Sequence, residues 1–562
     1  LLSASRWPGR LAVGAVLAGA LGLRLWGIAS GLPYVYNADE NSHFVPGAIG
    51  LFGHGLNPHY FVNPPAYTYL LHVVFAVWFG GRGGVSEAFA THPTEVLVVA
   101  RVTAAVVGTV AVWLLYLAGT RLADRRVGLL AAALMAVAFL PVFYAHLALN
   151  DVPTLAPIGL SLWGTAGVLR SGRRRDYLVA GAGLGLACAT KYTGGVVLLA
   201  LLGAVAWRLA APAERGRALR GVALAGAAAV ACFLAANPYA LLDATTFRHD
   251  LGHQASTSDE GLGKLGQTQR SGHLYYLWTL TWGLGWAPLA AALAGLGLLA
   301  RENRRLLAVL APAPILYVLV MGLQGRYFGR WLLPVFPLVC LLAAYGAVRL
   351  VELGGARRRR RWRPALAALA VAALLGQGLV YSVHGGLVLS RPDTRNLARA
   401  WLVAHVPAGT KVVVEPVVPD AWASDVGRVN PGTSNGARWV KFPTTRSRLY
   451  PGRVVNLEDY ERTLEPALLD RYAAGGYCWV VSASTQRGRS EAQPEQVPGA
   501  VRYYRELDRR AALAFEASPF DAGARPVGFD YDWTFDYYPL AYHRPGPVVR
   551  IYRLSSQSCA PR

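Results

Sequence analysis

The stretch YVYNADENSHFVPGAIGLFGHGLNPHYFVNPP, residues 34–65, follows directly on the first long apolar run, Leu11 to Ile28. It sets two adjacent carboxylates, Asp39 and Glu40, among aromatic residues and three histidines, His43, His54 and His59. Its flanks are aromatic and apolar rather than those of a solvated loop. An apolar helix that delivers the chain into such a segment points to a site at a membrane boundary. The remaining sequence reads consistently from there.

The 562 residues are 54% hydrophobic and only 15% charged, too apolar for an ordinary soluble enzyme. The net charge of +23 comes from 55 basic against 32 acidic residues. The basic residues are nearly all Arg, clustered between apolar runs. That is the positive-inside pattern of a polytopic membrane protein, not a nucleic-acid-binding surface. The chain opens at Leu1 rather than Met, as after trimming. The run Leu11–Ile28 reads as a retained first helix and not a signal peptide, because many apolar runs follow. Cys188, Cys232 and Cys340 lie in apolar runs as small core residues. Cys478 and Cys559 lie in the polar C-terminal part, where a disulfide is compatible with an oxidising compartment.

A membrane helix needs about 20 apolar residues. Candidate spans lie near 11–28, 95–119, 127–147, 152–169, 177–190, 192–210, 218–235, 274–299, 306–322, 331–350 and 364–383. With about eleven spans, the basic loops at Arg121–Arg126, Arg170–Arg175, Arg208–Arg220, Arg301–Arg305 and Arg349–Arg363 all fall on the side of the N-terminus, the cytoplasm. The apolar segment Val62–Gly80 would invert every later loop as a further span, so it is assigned to an interfacial or re-entrant helix. The loops 29–94, 148–151, Lys191, 236–273 and 323–330 and everything beyond about 384 then lie outside. The short, Gly-rich spans around Lys191 (GAGLGLACATKYTGG) suit broken helices that line an enclosed cavity.

After Arg391 the apolar runs shorten. The segment DTRNLARAWLVAHVP has helical periodicity, ended by Pro407 and Gly409. KVVVEP, YCWVVSAS and PVVRIYRL read as buried strands, and AVRYYRELDRRAALAFEASP as a second helix. The predicted architecture is mainly α: a polytopic transmembrane domain over 1–383, its first outer loop at 29–94, and an extracytoplasmic α/β domain over 384–562.

Several residues carry candidate chemistry. Asp39 can act as general base toward an acceptor hydroxyl, with Glu40 holding Asp39 or the acceptor. Asp151, in HLALNDVPTLAP, is either a second active-site acid at membrane depth or the cap of the next helix, with Pro153 in its first turn. Lys191 is one of four lysines and the only one in an apolar region. A fixed ammonium there would stabilise a departing phosphate; the competing reading is snorkelling. Arg326 and Arg330, in QGRYFGRWLLPVFP, suit bidentate phosphate recognition, with interfacial anchoring as the alternative. His249 and His253 stand four apart beside Asp250, yet zinc ligation lacks a clear acidic third ligand. No nucleotide-binding motif is present. An activated donor would therefore arrive in the membrane.

The pieces NADENSHF, NPPAYTYLL, ARVTAAVVGTVAVWLLYLAG, HLALNDVPT, GLGLACATKYTG and RYFGRWLLPVFP, in that order over about 11–350, resemble the C-type superfamily of integral membrane glycosyltransferases. More narrowly they resemble the dolichyl-phosphate-mannose protein mannosyltransferases and bacterial aminoarabinose transferases. The resemblance implies an inverting transfer from a polyprenyl-phosphate sugar to a hydroxyl acceptor on the non-cytoplasmic face. It also implies Asp39 as base, Asp151 as a second active-site acid and Lys191 near the donor phosphate. Family members commonly carry Lys or His just before the Pro-Pro of the first loop; here that position is Asn63.

The expected site is therefore Asp39, Glu40 and Asp151 for catalysis and Lys191, Arg326 and Arg330 for the phosphate. His43, His59, Asn63, Tyr327 and His249 would contact acceptor or substrate. No cofactor is called for, and a divalent metal is compatible with the site without being required. The partners are the prenyl-phosphate donor, a glycan, lipid or protein acceptor, and membrane lipids of the plasma membrane, with no nucleic acid. A lipid-linked oligosaccharide polymerase or ligase, and a transporter, are the rival readings.

Overall fold

The computed structural model describes residues 7–259, 271–357, 363–425, 437–444, 460–525, 527, 540–556 and 559. Parts of two expected loops, 260–270 and 358–362, lie outside them. Within the described residues the chain is a multi-pass helical membrane protein with a C-terminal α/β domain.

Among the described residues seven helices, not eleven, are long and apolar enough to cross a bilayer: Pro93–Leu122, Tyr192–Leu209, Pro212–Ala236, Gly272–Glu302, Arg304–Gly322, Gly329–Gly354 and Pro364–His405. The other four expected spans are present as helices but are not among these seven. Trp7–Leu25 carries Arg10 and Arg24. The run 127–147 breaks at Ala138 into Arg125–Val137 and Phe139–Tyr144. Leu155–Arg170 has 16 residues and Arg174–Thr190 has 17. At 1.5 Å per residue such helices reach about 25 Å, less than a hydrocarbon core of about 30 Å. The apolar segment after the first loop forms Ala66–Phe79, 14 residues, which is also too short to span.

The break at Ala138 is supported from the side. Buried Arg24 donates to Ala136 O (3.1 Å) and Met135 O (3.1 Å), and Ser382 Oγ donates to Val137 O (2.9 Å). Carbonyls freed by a broken helix in a bilayer must find such donors.

Two helices leading toward the site pack backbone to backbone. A Cβ on Gly181 would meet Ala225 O at 2.1 Å, and one on Gly185 would meet Ala229 O at 2.1 Å. Arg174–Thr190 and Arg215–Ala236 thus run in parallel with small residues four apart on both faces. This contact fixes the end of the first helix, where Lys191 follows.

The C-terminal domain holds a five-stranded mixed sheet: β1 (Lys411–Val414), β2 (Val440–Lys441), β3 (Trp479–Ala483), β4 (Ala511–Ala517) and β5 (Val549–Leu554), in the order β2-β1-β3-β5-β4. β1 pairs in parallel with β2 and β3, and β5 is antiparallel to β3 and β4. Alternate side chains feed two cores. Val413, Val480 and Tyr552 face the helices Ala467–Ala474 and Pro498–Arg510. Val412, Val414, Val481 and Ile551 face the helix Thr394–His405 together with Trp422 and Trp439. The three expected strands and the helix after Asp393 are present. The expected second helix is corrected: it ends at Arg510, and AALAFEA becomes β4. That segment is rich in helix formers, but it pairs with β5 and stacks Phe515 on Trp401 (5.5 Å), so tertiary contacts override propensity. Cys478 and Cys559 form a disulfide.

Candidate active site

Asp39 begins a π-helical turn, Glu40–Phe44, that leaves the first loop. The side-chain oxygen of Asn37 accepts the N–H groups of Asp39 and Glu40, both at 3.1 Å, and so starts the turn. Neighbours in sequence, the two carboxylates part company in space. Asp39 is a third exposed and meets Arg330 at 2.7 Å. Glu40 is fully buried. It accepts Arg101 Nε (2.7 Å) and Nη2 (2.9 Å) and the N–H of Ala148 (3.0 Å). Arg101 also donates to Ile28 O and Ser30 O, each at 2.9 Å. Glu40 thus anchors the loop and is not brought to Asp39 or to a space where an acceptor would sit.

Burial pulls the Asp39 carboxyl upward, but Arg330, His43 and Lys191 together outweigh it, Arg330 most of all. The net effect holds Asp39 below the usual carboxylate range, as an anion at neutral pH. His43 lies on the next turn and stacks on Tyr60 (4.8 Å between rings). Burial lowers the His43 imidazole, only partly offset by Asp39. Tyr60 accepts Asn63 Nδ2 at 3.1 Å, and its phenol is pushed up to about 12, chiefly by burial.

Lys191 stands where the helix Arg174–Thr190 ends. Its backbone is extended (φ −154°, ψ 127°), and the chain resumes as the tight turn Tyr192–Val197. Its ammonium pairs with Asp151, and both side chains are largely buried. Asp151 does not cap the following helix, which begins at Leu155 after Thr154 without a side-chain cap. Asn150 Nδ2 donates to Thr190 O (2.8 Å) and ties the two acid- and base-bearing corners together.

Arg326 and Arg330 flank one ring, each 5.3 Å from the centre of Phe328. Tyr327 between them is buried against Tyr275 (4.5 Å) and Tyr276 (6.4 Å). The rest of the first loop is lashed down beside Lys191. Tyr192 donates to Phe61 O (2.7 Å), and Asp250 Oδ2 accepts Phe61 N (2.8 Å). His59 lies at the rim, exposed, 3.4 Å from Asp243, which also accepts Asn57 Nδ2 (2.9 Å). His249 is exposed and pairs with Asp250 (3.1 Å). Asp39, His43, Tyr60, Asn63, Arg330, Lys191 and Asp151 therefore form one connected neighbourhood. His59 and His249 are peripheral to it. Among the described residues no group of three or more His, Cys, Asp or Glu is arranged to hold a metal.

Arg101 and Tyr60 were not singled out from the sequence. Arg101 had a signal, since a lone arginine inside an apolar run demands a partner. Tyr60 had none beyond its place in an aromatic loop.

The fold has solved counterparts. AglB, the archaeal oligosaccharyltransferase from Archaeoglobus fulgidus in complex with an inhibitory peptide and a dolichol-phosphate, is 13% identical. The match covers 92% of this chain and 74% of that one, with a TM-score of 0.55. ArnT from Cupriavidus metallidurans bound to undecaprenyl phosphate is 13% identical over 100% of both chains, with a TM-score of 0.50. The fold is one shared with these membrane proteins. Residues 93–239 match the family described as Dolichyl-phosphate-mannose-protein mannosyltransferase. No curated protein sequence matches the chain.

Proposed function

We propose that this protein is an inverting glycosyltransferase. It moves a sugar from a polyprenyl-phosphate donor to a hydroxyl acceptor on the non-cytoplasmic face of the plasma membrane. The N-terminus is cytoplasmic, residues 1–383 form the catalytic transmembrane domain, and 384–562 form an extracytoplasmic domain. The observation that carries this reading is the carboxylate of Asp39 against Arg330 and in the field of Lys191, within a fold shared with enzymes solved with prenyl phosphates.

The donor phosphate is held by Lys191 and Arg330, with Arg326 beside them. Arg330 has five N–H donors, enough to bridge Asp39 and a phosphate at once. The acceptor hydroxyl gives its proton to Asp39, and its oxygen bonds to the anomeric carbon. The bond from that carbon to the phosphate oxygen breaks on the opposite face, and the departing charge rests on the two cations. Asp151 keeps Lys191 aimed. His43, Tyr60 and Asn63 line the approach of the acceptor.

Asp39→Asn tests the assignment. It abolishes transfer while prenyl-phosphate binding persists; full activity of the variant would falsify the role of Asp39. Mass spectrometry of lipids that co-purify with the protein identifies the donor sugar. A second reading, an oligosaccharide donor, is favoured by the likeness to the archaeal oligosaccharyltransferase. Assays with mono- and oligosaccharide lipid donors side by side separate the two.

A further inference from the structure

The segment that delivers the chain to Asp39 is gripped by the C-terminal domain. Tyr34 is buried in that domain's core with Ala398, Leu402 and Val412. Two residues on, the Tyr36 hydroxyl donates to Asn396 Oδ1. Asn396 Nδ2 donates to Gly31 O at 3.1 Å. The Arg395 guanidinium lies over the Tyr36 ring, 3.6 Å from its centre, and is held there by Asp393 at 2.8 Å. Arg399 lies 5.2 Å from the centre of Tyr34. Of these partners Asp393, Arg395, Asn396, Ala398, Arg399 and Leu402 belong to, or cap, the helix Thr394–His405, and Val412 lies on β1.

On the other flank of Asp39, Glu40 is locked to Arg101 and Ala148 in the transmembrane part. Asp39 is therefore the residue between two anchors set in different parts of the molecule. Two residues, Asn37 and Ala38, separate it from Tyr36, and Asn37 fills the gap by accepting its N–H. A short backbone fixed at both ends leaves its side chain little choice of direction. Here that direction is toward Arg330.

We propose that Asn396 and Arg395 are positioning residues for the transfer reaction: through Tyr36 they set the aim of Asp39, so the C-terminal domain completes the active site. This rests on the reading of Asp39 as the base. Neither residue touches the reacting atoms. Their effect falls on turnover, not on donor binding, because the phosphate-holding cations lie on other elements.

The experiment uses the full chain in detergent with Asn396→Ala, Tyr36→Phe, the double variant and Asn396→Asp. Asn396→Ala is expected to lower kcat about tenfold or more, the scale of a slightly misplaced catalytic group, with donor KM within about twofold. Tyr36→Phe lowers it in the same direction, and the double variant is no worse than Asn396→Ala, because both single changes remove the contact between Tyr36 and Asn396. Asn396→Asp, which still accepts the Tyr36 hydroxyl, recovers most of the turnover. Hydrogen–deuterium exchange of the peptide spanning 36–41 rises in Asn396→Ala and returns in Asn396→Asp. Unchanged kcat and exchange in Asn396→Ala, or donor KM rising in step with the loss of kcat, overturns the proposal. If the wild-type chain transfers no sugar from any prenyl-phosphate donor, the functional reading fails. The exchange measurement still decides whether the clamp exists.

Discussion

Glu40 and Arg101 form a two-pronged ion pair with 2.7 and 2.9 Å contacts and no solvent around it, across 61 residues of sequence. The pair joins the first loop to the longest early helix, Pro93–Leu122. Breaking a buried pair leaves an uncompensated charge and costs about 3–5 kcal/mol. Arg101→Ala is expected to lower the thermal midpoint sharply and to loosen the first loop. Arg101→Lys rescues little, because an ammonium cannot reproduce the fork. A thermal unfolding series in detergent checks both.

Lys191 and Asp151 make opposite predictions for their two partners. Lys191→Met removes the cation and is expected to weaken binding of an unglycosylated prenyl phosphate at least about tenfold, the loss of one charge-assisted contact. Asp151→Asn keeps the cation and leaves phosphate affinity equal or higher, while turnover falls as Lys191 loses its aim. Equilibrium binding of undecaprenyl phosphate to both variants reads the difference. Equal losses in the two would mean that the pair only holds the fold.

Glu415, at the end of β1, is buried in the C-terminal domain. Burial pushes its carboxyl up to about 8, with a smaller push from Glu461, against hydrogen bonds from Ala483 N–H, Tyr504 and Ser482. The folded state thus keeps a proton that the unfolded chain releases near pH 4.5. Its stabilising effect is complete below about pH 4.5 and is lost as pH rises toward 8, a change of a few kcal/mol in order of magnitude. Glu415→Gln, uncharged throughout, is expected to flatten this slope. Thermal midpoints of both proteins between pH 4.5 and 8.5 test it.

Gly185 packs on the backbone of Ala229, whereas Gly226 on the same facing helix has nothing near its missing Cβ. Gly185→Leu is expected to cost about 1–3 kcal/mol by overpacking and to reduce prenyl-phosphate binding, because it shifts Lys191 six residues on. Gly226→Leu leaves both unchanged. Stability and binding measured on the pair distinguish close packing from a general effect of a larger side chain.

The sequence made the membrane class, the acid-bearing loop and the interrupted helix at Lys191 legible, because each leaves a local mark in composition or spacing. The separation of Asp39 from Glu40 was not legible. Adjacent residues on a tight turn diverge by where their partners lie, and those partners are 61 and 291 positions away. The same holds for Asn396 and Tyr36, which are 360 residues apart. The count of spans was overread because apolar runs do not reveal where a helix breaks. Ala138 and the lone Arg24 that supports the break are ordinary letters in a greasy stretch. β4 was misread as helix because its neighbour β5 arrives only near the end of the chain.

The bond between Cys478 and Cys559 ties the start of β3 to the last residues of the chain. Such links persist where thiols are oxidised. The sheet is therefore sealed only once the segment around Cys559 has left the reducing cytosol. A host that retains that segment in the cytosol would yield a helical bundle with an unlatched appendage.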